Sequence, residues 1–386
     1  MTSFMKQRFK WYGRFCMVSG LPFLQLHGII KGKNNRLPWK QLYLIYSLIC
    51  FAQFVVIQVL YFCQILEAVL DDVQLFTKSL YILLFAILTF KVVLNYCCAI
   101  VKSRSLLAFF KSSTKYEVTA GFVAPKCCGQ ATTCLVARLL LCLAFMANVA
   151  GSTYLSFEYL DYLGYTGMLD VILRAICVGG NFLFYVFEMV HFIVIRPCAE
   201  VIRLYIRHQH ELLHTVLDAR CNVPIAKRSK ELEAIRINLC AIAALKQQLN
   251  ATWRWSIMAS GVIVLTASCI CIYSAFTEEY SAVQHLLTIL YSISSALDFV
   301  DIANVSQQLV NEMRKIRHTL QKAPTYFENE VYYNQLSHLR ASIKPKEMAL
   351  SGAGFFTFNL PLVVSLAGAV ITYTVILVQT SESVKT

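Results

Sequence analysis

The chain has 386 residues, of which 57% are hydrophobic and only 15% are charged. A soluble protein of this length carries more charge on its surface. The composition therefore excludes a soluble globular protein and favours an all-α polytopic membrane protein. The formal net charge of +13 alone would suggest a nucleic-acid partner, but the placement of the charges, described below, excludes that class.

Seven apolar windows are long enough to cross a bilayer as helices, and we call them spans 1 to 7. They are Lys40–Cys63, Leu75–Val101, Thr132–Phe157, Gly167–Ile195, Ser256–Phe276, Ala282–Val310 and Pro361–Val378. The basic segment of residues 1–39 has no long apolar core followed by a small-residue cleavage site. We therefore expect span 1, and not a cleaved signal peptide, to direct the chain to the membrane.

The basic residues alternate from one side of these spans to the other. Thirty of the 35 lysines and arginines lie in residues 1–40, 102–131, 196–255 and 311–360. The opposite side holds only Lys78 and Lys385. The positive-inside rule then predicts a cytoplasmic N-terminus and an extracellular tail of residues 380–386, the reverse of a G-protein-coupled receptor. The positive charge would face anionic cytoplasmic lipid and not nucleic acid.

The predicted outer loops and tail are acidic instead. Their carboxylates are Glu67, Asp71, Asp72, Glu158, Asp161, Asp170, Glu278, Glu279 and Glu382. Either the side without basic residues is simply left acidic, or these groups form a vestibule that concentrates cations at an outer mouth.

Helices 4 to 7 are predicted to extend into the cytoplasm. Arg196-Pro197 is expected to end or kink helix 4, and half-polar helical patterns follow over residues 199–217 and 230–249. Apolar residues at helical spacing are Leu309, Met313, Ile316 and Leu320, and then Tyr332, Leu336, Leu339 and Ile343. These stripes pack either inside one subunit or between subunits. Helix 7 is predicted to be composite, with a short inner segment before Pro361.

One enzyme motif occurs, His210-Glu211-x-x-His214. Two histidines four residues apart share a helix face and could hold zinc, with Glu211 as the general base. No third ligand is indicated, and a solvated helix face is the alternative. Within the spans, Glu188 with His191 and Asp298 with Asp301 form polar pairs on single helix faces. We expect them to make inter-helix hydrogen bonds, with ligand contact as the alternative.

Two sites are predicted within the membrane. Thr372 and Gln379 are seven residues apart, so they share one face of span 7, a candidate pore wall that needs several subunits around an axis. The outer halves of the other spans offer aromatic side chains for a pocket that suits small organic ligands. The predicted pocket residues are Tyr154, Phe157, Tyr273, Phe276, Tyr291 and Ser295.

The end of the chain resembles the C-terminal signature of insect gustatory receptors. That signature is Thr-Tyr, five mostly hydrophobic residues and then Gln-Phe, and the chain has Thr372, Tyr373 and Gln379 at this spacing. The segment from Gly352 to Asn359 also resembles the corresponding segment of these receptors. Thr380 departs from the pattern, because it stands where the family has Phe.

The resemblance implies a tetrameric ligand-gated cation channel in which residues 361–379 line the pore, with Gln379 near the gate. Residues 40–310 would form the ligand-binding bundle, which the ligand enters from outside between helices 2 and 6. The cytoplasmic helices of residues 311–360 would join the subunits. Since the missing Phe belongs to the gate's hydrophobic plug, either Val375 or Ile376 closes the pore, or partner subunits supply the Phe.

We therefore predict a taste receptor subunit, a non-selective cation channel that a small-molecule tastant opens to mediate acceptance or avoidance. It would lie in lipid in the plasma membrane of a sensory neuron dendrite, as a homotetramer or as a heterotetramer with other gustatory receptors. No cofactor, metal or catalytic residue is expected. The alternatives are an odorant-receptor-type channel subunit and a membrane zinc protease that uses His210, Glu211 and His214.

Overall fold

A computed structural model describes residues 3–21, 37–70, 75–124, 132–217, 224–275, 282–323 and 330–385. In these ranges the chain forms ten α-helices. They are α1 (Phe4–Val18), α2 (Leu37–Leu70), α3 (Leu75–Val101), α4 (Ser103–Thr119), α5 (Thr132–Tyr162), α6 (Met168–Leu217), α7 (Ile225–Ser274), α8 (Ala282–Lys322), α9 (Glu330–Ser342) and α10 (Leu360–Lys385). A 3₁₀ turn (Pro345–Met348) and two short strands, β1 (Ser351–Gly352) and β2 (Phe356–Thr357), precede α10.

The all-α polytopic architecture is confirmed. Within the described ranges, six helices are long and apolar enough to cross a bilayer, namely α2, α3, α6, α7, α8 and α10. The remaining predicted window lies in α5, for which the side chains of residues 132–140 are outside the described set.

Two helices are much longer than a bilayer is thick. α6 and α7 have 50 residues each, so at 1.5 Å per residue each is roughly 75 Å long, against a hydrocarbon core of about 30 Å. α6 does not end at Pro197, which lies inside the helix. Pro197 is buried there, and a Pro within a helix removes one backbone hydrogen bond. The prediction of extended helices is confirmed for helices 4 to 6. Of the two outcomes expected at Arg196-Pro197, an end or a kink of helix 4, the end is excluded.

One apolar core runs along α6, α7 and α8 and into their extensions. Trp253, Tyr205 and Tyr332 are among its fully enclosed side chains. Both predicted stripes are buried within this single chain. Of the two alternatives for these stripes, packing inside one subunit is therefore the one observed.

Two helices lie where the sequence predicted only loop or N-terminal segment. α1 falls within residues 1–39, and α4 falls within residues 102–131. The two helices are joined through Glu117, whose carboxylate accepts the backbone N–H groups of Phe4 and Met5, each at 2.9 Å. A carboxylate at this position satisfies free donors of the helix N-terminus. Neither helix has the length or hydrophobicity of a span, so neither was predicted.

The segment before α10 is a hairpin and not the expected inner helical segment. β1 and β2 pair antiparallel, and Gly354 turns the chain between them with a φ of 87°. The side chain of Asn359 accepts the N–H of Leu362 at 2.9 Å, so Asn359 caps the start of α10. The hairpin places the start of α10 against α7 and α8.

We expect neighbouring leucines on the extension of α6 to differ in their contribution to stability. Leu213 is fully buried, whereas Leu212 is 37% exposed. Leu213→Ala should lower the free energy of unfolding by about 2–5 kcal/mol, because it leaves a cavity in the core. The matched change Leu212→Ala should cost much less. Thermal unfolding of the two purified variants would measure this, and equal losses would contradict the described packing.

Candidate functional site

The last helix, α10, packs on the chain along one narrow side. Only 11% of its apolar window is buried. Its contacts are with α7 and α8, through side chains such as Leu366 and Val370. The sulfur of Cys269 lies 3.8 Å from the carbonyl oxygen of Val370. Most of the surface of α10 is thus open to lipid, water or another subunit.

The predicted pore residues lie on this open surface. Thr372, Gln379 and Thr380 are exposed. The hydroxyl groups of Thr372 and Thr380 donate to the helix's own carbonyl oxygens, at Gly368 (3.1 Å) and Ile376 (2.8 Å). Within the described part of the chain, the amide of Gln379 has no hydrogen-bond partner. That amide is therefore available to water or an ion.

The apolar gate candidates and Tyr373 are also exposed. Val375 is 51%, Ile376 is 49% and Tyr373 is 53% exposed. An ideal Cβ on Gly368 would meet no atom within 4 Å. This small residue therefore leaves open space beside Thr372, one turn away.

A second polar site lies inside the helix bundle, where α3, α6 and α8 meet. The Lys91 ammonium donates to Glu188 Oε1 at 2.5 Å, with side-chain exposures of 2% and 6%. The Tyr291 hydroxyl donates to the same oxygen at 3.1 Å. Asn95 donates to the backbone oxygens of Phe187 and Glu188 at 2.9 and 2.8 Å. Charges at this depth are costly unless they are paired, so this cluster ties three helices together.

Three of the four polar residues predicted to pair within the spans bond to a neighbouring helix. His191 Nε2 lies 2.7 Å from the Ser260 hydroxyl, which links α6 to α7. Asp301 forms an ion pair with Arg196. With the Lys91–Glu188 contact, these bonds confirm the inter-helix role for Glu188, His191 and Asp301. Asp298 is 7% exposed and lies on α8 between Tyr291 and Asp301.

A series of hydroxyl and amide groups extends from the Lys91–Glu188 pair toward the N-terminal end of α6. The Ser152 hydroxyl lies 2.8 Å from that of Tyr185, whose ring centre is 6.5 Å from that of Tyr291. Tyr61 donates to Asn181 Oδ1 at 2.8 Å and to the Ser152 carbonyl oxygen at 3.1 Å. These groups were missed from the sequence. Asn181 inside an apolar window was the signal that could have indicated them.

A cavity lies beside Tyr61, at the end of this series of polar groups that is farther from Lys91 and Glu188. Its volume is about 10 Å³, enough for roughly one water molecule. Its walls are formed by Ile57, Leu60, Tyr61, Gln64, Ser156, Tyr159, Leu160 and Cys177. An organic ligand would require the surrounding helices to move apart.

The structure brings together two of the predicted pocket residues and spreads out others. Tyr291 and Ser295 lie one turn apart on α8, and both are buried. Tyr154 is 51% exposed, and Phe157 lies under the Arg174 guanidinium, 5.1 Å from its ring centre. Tyr273 is buried near the end of α7, and Phe276 lies outside the described residues. Their role in ligand binding stays a prediction.

The zinc-protease interpretation is not supported by the described residues. His210 Nε2 is engaged by the Thr319 hydroxyl at 2.9 Å, and burial together with nearby His214 lowers the pKa of His210. Glu211 is exposed. Among the described residues, no group of three histidine, cysteine or acidic side chains is arranged to hold a metal ion. The motif belongs to the packed extension of α6.

Helices of spanning length, several of which extend well beyond the thickness of a bilayer, define a polytopic membrane protein. The family model of the 7tm chemosensory receptors matches residues 10–383, so the chain belongs to this family. This membership supports a receptor and not an enzyme.

Two solved structures share the fold. One is the insect olfactory receptor OR5 from Machilis hrabei in complex with eugenol, with a TM-score of 0.71, 15% identity, and coverage of 97% of this chain and 98% of that chain. Another structure of OR5 from Machilis hrabei has a TM-score of 0.60, 14% identity, and coverage of 96% and 97%. No curated protein matches the sequence.

We expect the buried ion pair to be strongly coupled. Glu188→Gln leaves the Lys91 ammonium buried without a counter-charge and should destabilise the fold by about 3–5 kcal/mol. The double change Lys91→Met with Glu188→Gln removes that charge and should recover much of the loss. Thermal unfolding of the wild type, the two single variants and the double variant would give the coupling energy. Additive effects would contradict a direct pair.

Proposed function

We propose that the chain is a gustatory receptor subunit of a tastant-gated, non-selective cation channel in chemosensory neurons. The observation that supports this most is α10, an apolar helix of spanning length with a largely open surface that carries Thr372 and Gln379. One such helix cannot enclose a pore, but several copies around an axis can. The proposed assembly is a homotetramer or a heterotetramer with other gustatory receptors.

The proposed orientation places the N-terminus and the extensions of helices 4 to 7 in the cytoplasm and the end of α10 outside. The charge distribution along the sequence supports this orientation. Gln379 then lies toward the outer mouth, near the acidic outer loops, and residues 380–386 form the extracellular tail. The plasma membrane of a sensory neuron dendrite is the proposed location.

The proposed mechanism couples the bundle to the pore through α8. This helix carries Tyr291 in the buried cluster and, roughly 22 Å further along, Ser306 at the hairpin. The Ser306 hydroxyl donates to the Phe358 carbonyl oxygen at 2.6 Å and accepts the Leu350 N–H at 2.8 Å. Leu360 begins α10 two residues after Phe358. A ligand that separates helices near Tyr291 would displace α8, and with it the inner end of α10.

The proposed ligand is a small organic molecule that reaches the outer half of the bundle, near Tyr291 and Ser295. Eugenol, which is bound to OR5 in the similar structure, is a small organic molecule of this kind. The hydroxyl groups of Tyr185 and Ser152, 2.8 Å apart, would give such a ligand hydrogen-bonding partners in an otherwise apolar site.

The proposed gate is apolar. In a pore of several copies, Val375 or Ile376 would form a ring that excludes water when closed. Thr380 cannot take part in a hydrophobic plug in the way Phe does. In a heteromer, partner subunits would supply that Phe.

A second candidate function, an odorant-receptor-type channel subunit, is favoured by the similarity of the fold to OR5. The two differ in the ligand class and not in the channel mechanism. The spacing of Thr372, Tyr373 and Gln379 supports the gustatory function.

Ligand-evoked current tests the proposal directly. We expect cells that express the chain, alone or with partner gustatory receptors, to show cation currents when soluble tastants are applied, as measured by whole-cell recording. Currents evoked only by volatile odorants would favour the second candidate. No ligand-evoked current in any combination, with the protein present at the surface, would contradict both.

Replacing Gln379 tests the pore wall. Gln379→Ala removes an amide with no described partner and should change relative cation permeability or the open probability without lowering surface expression. Gln247→Ala is the matched control, because Gln247 is also exposed but lies on the cytoplasmic extension of α7. Reversal potentials in mixed cations would report the change. Equal behaviour of both variants and the wild type would remove Gln379 from the pore.

A further inference from the structure

The outward face of α1 changes character along its length. Its residues are Arg8, Lys10, Trp11, Arg14, Phe15 and Val18, all exposed. Trp11 is 72% and Val18 is 74% exposed. The opposite face, with Phe9 and Cys16, is buried against the chain. The open face therefore begins basic, passes through an aromatic residue and ends apolar.

The C-terminal end of α1 is fixed to a membrane span. The hydroxyl groups of Tyr46 and Tyr43 on α2 donate to the carbonyl oxygens of Val18 and Leu21. An ideal Cβ on Gly20 would lie 2.6 Å from the sulfur of Cys50, so the backbone packs directly on α2. Cys50 is ten residues beyond Lys40, or roughly 15 Å into the bilayer from the inner end of span 1.

The N-terminal end of α1 is fixed on the cytoplasmic side. Glu117, which binds the N–H groups of Phe4 and Met5, also accepts the hydroxyl of Tyr205. Tyr205 is ten residues beyond the inner end of span 4 at Ile195, or roughly 15 Å outside the bilayer. α1 therefore crosses the inner boundary of the membrane, with Trp11 and Arg14 in its middle.

The basic residues of the open face have no counter-charge in the described part of the chain. The Arg14 guanidinium lies 5.1 Å from the Trp11 ring centre and the Arg8 guanidinium 5.4 Å from that of Phe4. The sequence of α1 contains no acidic residue. Guanidinium groups bind phosphate oxygens, and Trp side chains concentrate at the headgroup level.

We propose that α1 binds anionic phospholipid of the inner leaflet. Arg8, Lys10 and Arg14 bind the headgroup phosphates, Trp11 lies at the headgroup level, and Phe15 and Val18 contact acyl chains. The inference rests on the cytoplasmic orientation of the N-terminus proposed above and not on channel activity. The ligand chemistry is a phosphodiester on a lipid, since the apolar end of the same face needs an acyl chain beside it.

Lipid capture by the full-length protein tests this. The purified protein is placed in phosphatidylcholine vesicles that contain labelled phosphatidylserine, and the label retained after extraction is measured. The triple variant Arg8→Gln, Lys10→Gln, Arg14→Gln should lose about tenfold or more of the anionic lipid it retains, since each basic residue at the surface adds attraction. The matched control is Lys227→Gln, Lys230→Gln, Lys322→Gln, which removes the same charge from exposed cytoplasmic sites and should change little.

A second measurement keeps the test independent of how the triple variant folds. The fluorescence that is lost in Trp11→Phe isolates the Trp11 signal, and lipids brominated near the headgroup should quench it in the wild type. The absence of quenching, equal lipid loss in both triple variants, or no preference of the wild type for phosphatidylserine would overturn the proposal. The proposal would also be overturned if a second copy of the chain, and not lipid, covered Trp11. Because both readouts need no ligand, a receptor without evoked current still gives a decisive result.

Discussion

The pairing of Lys91 with Glu188 is the constraint on which the interior of this receptor depends. An ammonium group at this depth is tolerated only beside a carboxylate, and these two come from different helices, α3 and α6. Tyr291 adds α8 to the same oxygen. Since these three side chains come from three helices and meet at one carboxylate, they favour one register of the helices against one another. A hydrophobic contact would allow these helices to slide.

In the proposed function, the ion pair lies between the part of the bundle that would receive the ligand and the part that would respond to it. On one side of it, Tyr185, Ser152 and Tyr61 form a series of polar groups. This series ends at a cavity too small for an organic molecule. On the other side of it, α8 continues to Ser306 and the hairpin before α10. In the proposed function, a ligand would separate helices of the bundle on one side of the ion pair, and α10 would move on the other side.

Much of this fold could be predicted from the sequence, because span length and helical spacing are local signals. The windows and the buried stripes of residues 309–320 and 332–343 were found in that way. α1, α4 and the hairpin were missed, since short half-polar segments carry no such signal. Polar partners such as Lys91 with Glu188 are nearly a hundred residues apart and are joined only by packing. Depth alone could not say which of Tyr154, Tyr273 and Tyr291 face a common space.

The uninterrupted length of α6 and α7 has a mechanical consequence. A helix of roughly 75 Å without a break acts as a stiff rod, so rotation about a pivot in the membrane is amplified at its far end. A tilt of about 5° about a pivot near Glu188 moves Leu217, roughly 44 Å further along α6, by about 4 Å. The long extensions would thereby convert a small rotation near Glu188 into a displacement of several ångströms at their far ends.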